Sequence, residues 1–274
     1  DETAFESLIE RQIKAGTHAI VPCGTTGESA TLSHSEHERV VELCVEVVAG
    51  RIPVIAGAGS NSTKEAISLV SHAKRIGAHA ALTVCPYYNR PDQSGLVAHF
   101  TAIADAVELP LILYNVPGRT VVDLSPETLG QLSQHPNIMG IKDASAALDR
   151  VAWQRDICDD AFVFLSGDDP TAVGFNALGG QGCISVSANI APEKCVEMQN
   201  AMAEGDYSKA RKLNDSLQKL HRALFLEPSP APTKFALAEL GLCEPDVRMP
   251  IQQIQRESIK SQIRAAMDAA GVTS

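Results

Sequence analysis

The sequence predicts an α/β fold: a (β/α)8 TIM barrel over residues 1–205, followed by a C-terminal helical domain over 206–274. Three observations predict it. Short runs rich in Val, Ile and Leu recur without polar alternation, as in parallel strands covered on both faces. Segments with helix-start signatures and glycine ends lie between them. Polar and glycine residues follow every run. A doubly wound sheet would instead concentrate them in a glycine-rich first turn and at a reversal of strand order.

The chain opens with "DETAFESLIERQIKAG", an acidic amphipathic helix and no signal peptide. Seven strands are expected in "HAIVPCG", "IPVIAGAG", "ALTVCPYY", "PLILYNVP", "IMGIKDA", "FVFLSGDD" and "GCISVSAN", closing near Cys23, Ala58, Pro86, Pro117, Asp143, Gly167 and Ser187. An eight-stranded barrel would need one more ahead of the first helix, so the expectation is that this strand is missing from the sequence. Ser33 with Glu36 and Ser62 with Glu65 read as capping boxes, and Ser125-Pro126 as a serine cap with proline in the first turn. Gly50, Gly77 and Gly130 mark helix ends. From about residue 205 the strands stop. "GDYSKARKLNDSLQKLHRALFLE" and "IQQIQRESIKSQIRAAMDAAG" are amphipathic helices, joined through a further helix in "EPSPAPTKFALAELG".

With 45% apolar and 20% charged residues in 274, the chain can bury a sizeable core. A net charge of −10 argues against nucleic acid and against an anionic membrane surface. No apolar run reaches the roughly 18 residues of a membrane span. The seven cysteines include no CxxC and sit mostly in apolar context. They read as core residues of a protein in the reducing cytoplasm, with neither disulfides nor a metal site.

In a barrel, chemistry gathers where strands end. Those positions hold Thr25, Thr26 and Glu28 in "GTTGES", Tyr87 and Tyr88 in "YYNRP", Tyr114 and Arg119 in "YNVPGR", Lys142 and Asp143 in "GIKDAS", and Asp168 and Asp169 in "SGDD". Each has a plain reading. "GTTGES" is a tight turn or an anion seat, the "YYN" aromatics a subunit contact, Tyr114 a buried phenol, and Arg119 a solvated charge. Lys142 is an ion-pair partner of Asp143 or Asp168, and Asp168 and Asp169 are metal ligands or, before the helix that "DDP" opens, helix caps. Jointly they point to chemistry. An amine withdrawn from water gives up its proton more readily. Free, it attacks a carbonyl to form an imine, an electron sink that acidifies the neighbouring carbon. Tyr114 and Thr25 suit a proton relay, and Arg119 suits a substrate carboxylate. The set fits an aldolase-type reaction on a 2-keto acid, with neither metal nor cofactor. The alternatives are a barrel enzyme binding Mg²⁺ through Asp143, Asp168 and Asp169, and a non-catalytic barrel.

"GTTGESATLSHSEHERV", "YYNRP", "LYNVPGRT", "GIKDAS" and "SGDD", in this order over nearly the whole chain, resemble the dihydrodipicolinate synthase family. This family lies within the pyruvate-dependent class I aldolase group that includes N-acetylneuraminate lyase. The resemblance implies that Lys142 forms a Schiff base with pyruvate. Tyr114 and Thr25 would relay protons with Tyr88 of a neighbouring subunit. Thr26 would seat the pyruvate carboxylate and Arg119 the carboxylate of L-aspartate 4-semialdehyde, with Gly167 and Ile184 lining the pocket. Arg119 favours a synthase over the sialic-acid and keto-sugar-acid lyases of the group. The implied product is 4-hydroxy-tetrahydrodipicolinate, in lysine and diaminopimelate biosynthesis, made by a cytoplasmic homotetramer arranged as a dimer of dimers. The resemblance also implies feedback inhibition by lysine at Ser29, Ala30, His34, His37, Asn61, Glu65 and Tyr87.

Overall fold

The computed structural model describes residues 1–272, which divide into two compact units, 53–184 and 1–52 with 185–272. In the first, the apolar runs form a parallel sheet of six strands: β1 (Ile55–Gly57), β2 (Ala80–Val84), β3 (Leu111–Asn115), β4 (Ile138–Asp143), β5 (Val163–Ser166) and β6 (Gly182–Cys183). They pair in sequential order from β1 to β6 without reversal. Right-handed crossovers in such an order place the helices on one face, as in a barrel wall and unlike a doubly wound sheet. Every residue of β3 is buried, which explains the apolar run "LILY" that precedes its last residue, Asn115. Ala56, Ala81, Leu111, Leu113 and Ile141 are almost wholly withdrawn from solvent, and burial of a Leu or Ile side chain contributes roughly 1.5–3 kcal/mol.

Two of the seven expected strands differ in extent. "HAIVPCG" is reduced to one bridging residue, Ile20. Pro22 has no N–H for a ladder, and Cys23 takes a left-handed backbone at φ 54, so extended pairing stops there. "GCISVSAN" is a strand only at Gly182–Cys183; Ser187–Asn189 already forms a 3-10 turn. Helix starts follow the sequence more closely. Ser33 and Glu36 make the full reciprocal box ahead of helix His34–Val48. Ser62 caps helix Thr63–Arg75, but the Glu65 carboxylate takes the Ser60 hydroxyl instead of completing the box. Gly50 and Gly77 have the positive φ of helix ends. Gly130 lies inside helix Pro126–Leu132, where a Cβ would stand 3.3 Å from Ile157 Cδ1. It is a close-approach glycine, not a terminator.

The second unit is helical: Glu2–Ala15, His34–Val48, Pro192–Ala203, Tyr207–Ala223, Ala231–Glu239 and Glu257–Ala269 are its principal helices. The first helix is tied to the Ser187–Asn189 turn by side chains. Arg11 donates to the carbonyls of Asn189 and Ile190 at 2.7 and 2.8 Å, and Gln12 to that of Ala188 at 2.7 Å. Leu217, Leu220 and Ile263 form the buried stripes of the two long C-terminal helices. Among the described residues, no helix is long and apolar enough to cross a membrane. All seven cysteines are free thiols, five of them buried.

Candidate active site

Lys142 and Tyr114 are register partners across β3 and β4, so their side chains leave the same face of the sheet. The Lys142 amine lies 4.2 Å from the centre of the Tyr114 ring, and Tyr114 is buried. Asp143, the next residue, points to the other face. There it accepts the Ser145 N–H at 2.8 Å and the Gln154 amide at 3.2 Å. Strand alternation thus separates Lys142 from the neighbouring carboxylate that the plainest reading would pair with it. Asp168 accepts the Thr171 hydroxyl at 2.5 Å. Among the described residues, no group of three or more His, Cys, Asp and Glu side chains is placed to hold a metal ion.

Gly167 and Ile184 follow the next two strands in step. The Gly167 N–H donates to Asp143 O at 2.7 Å, and the Ile184 N–H to Ser166 O at 2.9 Å. A Cβ on Gly167 would meet Lys142 Cε at 3.0 Å and Cγ at 3.2 Å, so this glycine makes room for the lysine. Tyr114, Lys142, Gly167 and Ile184 therefore line the carboxyl edge of four adjacent strands. Arg119 is exposed on the short helix Pro117–Thr120 that follows β3. After β2, Tyr87 is 40% and Tyr88 90% exposed, and Tyr88 has a left-handed backbone at φ 70. That conformation is uncommon for a bulky residue. Here it accompanies a tight turn in which Asn89 N–H donates to Tyr87 O at 2.8 Å. Asn61 joins the same turn, donating to Tyr87 O at 3.1 Å and accepting from Asn89 at 2.8 Å. Glu65 stands in the first turn of the following helix.

Thr25 and Thr26 belong to the helical unit, in the turn that begins at Cys23. The turn closes through Glu28 N–H to Thr25 O at 3.2 Å and Ser29 N–H to Gly24 O at 3.4 Å. Glu28, itself left-handed at φ 58, is its anchor. Its carboxylate takes Lys234 at 3.0 Å and the Arg248 N–H at 2.8 Å. Arg248 also grips Glu36 at 2.6 and 2.9 Å and reaches Thr31 O at 3.1 Å. Those bonds, with the cap at Ser33, hold the Glu36 carboxyl down at about 2. Ser29 and Ala30 lie in the adjoining 3-10 turn; His34 is exposed at the start of helix His34–Val48, and His37 is buried one turn later.

Sequence reasoning passed over Asn115, Asp123, Arg150 and Gln154, which brace these strand ends. Asn115 carried a signal, a polar residue ending the apolar run "LILY". The other three carried none.

A sequential parallel sheet with a lysine, a phenol and a close-approach glycine along its carboxyl edge defines the (β/α)8-barrel class of enzyme. Residues 1–270 match the model of the dihydrodipicolinate synthetase family, and the chain belongs to that family. The 4-hydroxy-tetrahydrodipicolinate synthase of Phenylobacterium zucineum is 58% identical over 272 residues, covering 99% of this chain and 92% of its own length. The enzyme of that name from Hyphomonas neptunium is 59% identical over 274 residues, at 99% and 93% coverage. Among solved structures, the chloride-inhibited dihydrodipicolinate synthase of Acinetobacter baumannii complexed with pyruvate is 47% identical with a TM-score of 0.97, covering 99% of this chain and 93% of its own. The DHDPS of Cyanidioschyzon merolae with lysine bound is 39% identical with a TM-score of 0.95, at 99% and 92% coverage.

Proposed function

We propose that the protein condenses pyruvate with L-aspartate 4-semialdehyde to 4-hydroxy-tetrahydrodipicolinate, through an imine on Lys142, in lysine and diaminopimelate biosynthesis. The observation that carries this reading is the Lys142 amine set over the Tyr114 ring at a strand end, with Gly167 leaving it room. The amine adds to the pyruvate ketone and water leaves. The imine gives up a methyl proton and becomes an enamine. The enamine carbon bonds to the aldehyde carbon, whose oxygen takes a proton. The amino group of the second substrate then attacks the imine carbon, closes the six-membered ring and releases Lys142. Tyr114 and Thr25, with Tyr88 of a second copy, move the protons; Thr26 seats the pyruvate carboxylate, and Arg119 holds the other substrate by its carboxylate. Gly167 and Ile184 offer backbone groups to the bound substrate. The imine is the electron sink, so no metal or further cofactor is required.

The catalytic domain on this reading is 1–205, with a helical domain over 206–274. The enzyme works in the cytoplasm as a homotetramer, a dimer of dimers. The 90% exposure of Tyr88 at a strained backbone position supports a contact with a second copy. Lysine inhibits through Ser29, Ala30, His34, His37, Asn61, Glu65 and Tyr87. The Glu65 carboxylate suits its ammonium group, and the relative from Cyanidioschyzon merolae has been solved with lysine bound.

Incubation with pyruvate and borohydride, followed by peptide mass spectrometry, tests the chemistry. A reduced adduct on the peptide carrying Lys142 is expected. A folded protein that gives no adduct there returns Lys142 to a structural role.

A further inference from the structure

Arg119 stands on a helix of four residues, too short to fix its own direction. The segment after it is held by side chains from three other elements. The buried Thr120 hydroxyl donates to Val122 O at 2.8 Å. Val121 is left-handed at φ 61, which turns the chain back. The Asp123 carboxylate then takes one guanidinium nitrogen of Arg150 on both of its oxygens, at 2.8 and 3.0 Å, and the Asn115 amide at 2.8 Å. Asn115, wholly buried at the end of β3, also accepts the Leu124 N–H at 3.0 Å. The second guanidinium nitrogen of Arg150 reaches Leu124 O at 2.5 Å. Gln93 closes the outer side, donating to Asp123 O at 2.8 Å and accepting the Ser125 N–H at 3.1 Å.

Arg150 opens helix Asp149–Ile157, which follows β4. One turn later the same helix sends the fully buried Gln154 to Asp143, the residue after Lys142. A single helix therefore braces the strand end that carries Lys142 and the turn that carries Arg119. The Arg150 side chain is 12% exposed and the Asp123 side chain 53%, so this ion pair adds little to overall stability. Its geometric effect is larger. Arg119 must meet a substrate carboxylate in a two-pronged arrangement, which tolerates little misplacement, and an error of about 1 Å costs on the order of 100-fold.

We propose that Arg150, acting through Asp123, is a positioning residue for Arg119 and sets how tightly the aldehyde substrate is held by its carboxylate. This rests on the assignment of Arg119 to that carboxylate. The test is steady-state kinetics of Arg150→Met, Arg119→Met and the double variant, with the borohydride-trapped pyruvate adduct as a separate readout. Arg150→Met should lower kcat/KM for aspartate semialdehyde by roughly 10–100-fold, mainly through KM, by the misplacement argument. The pyruvate KM and the rate of adduct formation should stay at wild-type values. On the Arg119→Met background, Arg150→Met should add nothing further. Arg150→Lys, which keeps the charge without the fork, should show the same selective loss at smaller size and covers the case of a Met variant that does not fold. Effects that add across the two sites, a parallel rise in the pyruvate KM, or an unchanged semialdehyde KM would each overturn the proposal. If Arg119→Met alone leaves the semialdehyde KM unchanged, the underlying assignment fails instead, and the proposal with it.

Discussion

Replacing Gly167 with alanine adds one carbon beside the lysine on which the proposed chemistry turns. That carbon would stand 2.8 Å from Ala144 Cβ, 3.0 Å from Lys142 Cε and 3.2 Å from Lys142 Cγ. Carbon atoms pack at roughly 3.5–4.0 Å, so the shortfall runs from about 0.3 to 1.2 Å over the three contacts. Gly167 is not among the residues at positive φ, so the cost comes from contact and not from backbone strain. Ala144 has no side-chain freedom with which to yield, and the backbone at Gly167 is tied to Asp143 O at 2.7 Å. Lys142 must therefore move. Overpacking of this kind costs about 1–3 kcal/mol. In a chain of this size each kcal/mol lowers Tm by about 2–4 °C. An amine moved by up to about 1 Å should form its imine as much as ~100-fold more slowly. The assay is the rate of the borohydride-trapped pyruvate adduct in a variant shown by calorimetry to be folded. A Gly167→Ala protein with wild-type Tm and adduct rate would refute the packing argument.

Two further outcomes follow from groups elsewhere in the fold. His99 is buried, with its Nδ1 2.9 Å from the Thr63 hydroxyl, and burial pushes its pKa from 6.5 down to about 4. The unfolded chain binds this proton first as pH falls, so stability is lost between about pH 6.5 and 4, by at most ~3 kcal/mol. Urea midpoints of the wild type should fall more steeply over this window than those of His99→Gln; equal slopes would reject the assignment. Glu36 acts in a lower window. Its depressed carboxyl adds stability above about 4.5 that is lost as pH falls toward about 2, so the two windows meet only near their shared edge. Turnover should fall as lysine is added, and an unchanged rate at millimolar lysine would remove the effector role from Glu65 and its companions.

The parallel-sheet fold class was legible because burial on both faces leaves a mark in local composition: "LILYN" is apolar almost throughout and every residue of it is buried. Helix His34–Val48 was legible for a similar reason, since its capping box closes within four residues. Local signals misled where a neighbour distant in sequence decided the outcome. Gly130 looked like a helix end because only its packing against Ile157 distinguishes it from one.

Within the candidate site, Lys142 is conspicuous from local composition, because a charge in the run "IMGIKDA" has no reason from hydrophobicity to be there. The order in which polar residues follow the strands can likewise be read from the sequence. What Lys142 faces depends on strand pairing in three dimensions. Register across β3 and β4 brings it to Tyr114, 28 positions earlier, while alternation along β4 turns Asp143 away to Gln154. The bracing of the Arg119 turn was likewise decided in three dimensions, since Asp123 and Arg150 are 27 residues apart and meet only through the crossover that places one helix behind two strand ends. The physical reason is common to both. Composition and caps report forces that act within a few residues, whereas strand register and helix packing are settled by the burial of the whole sheet, and it is these that set the distances between functional groups.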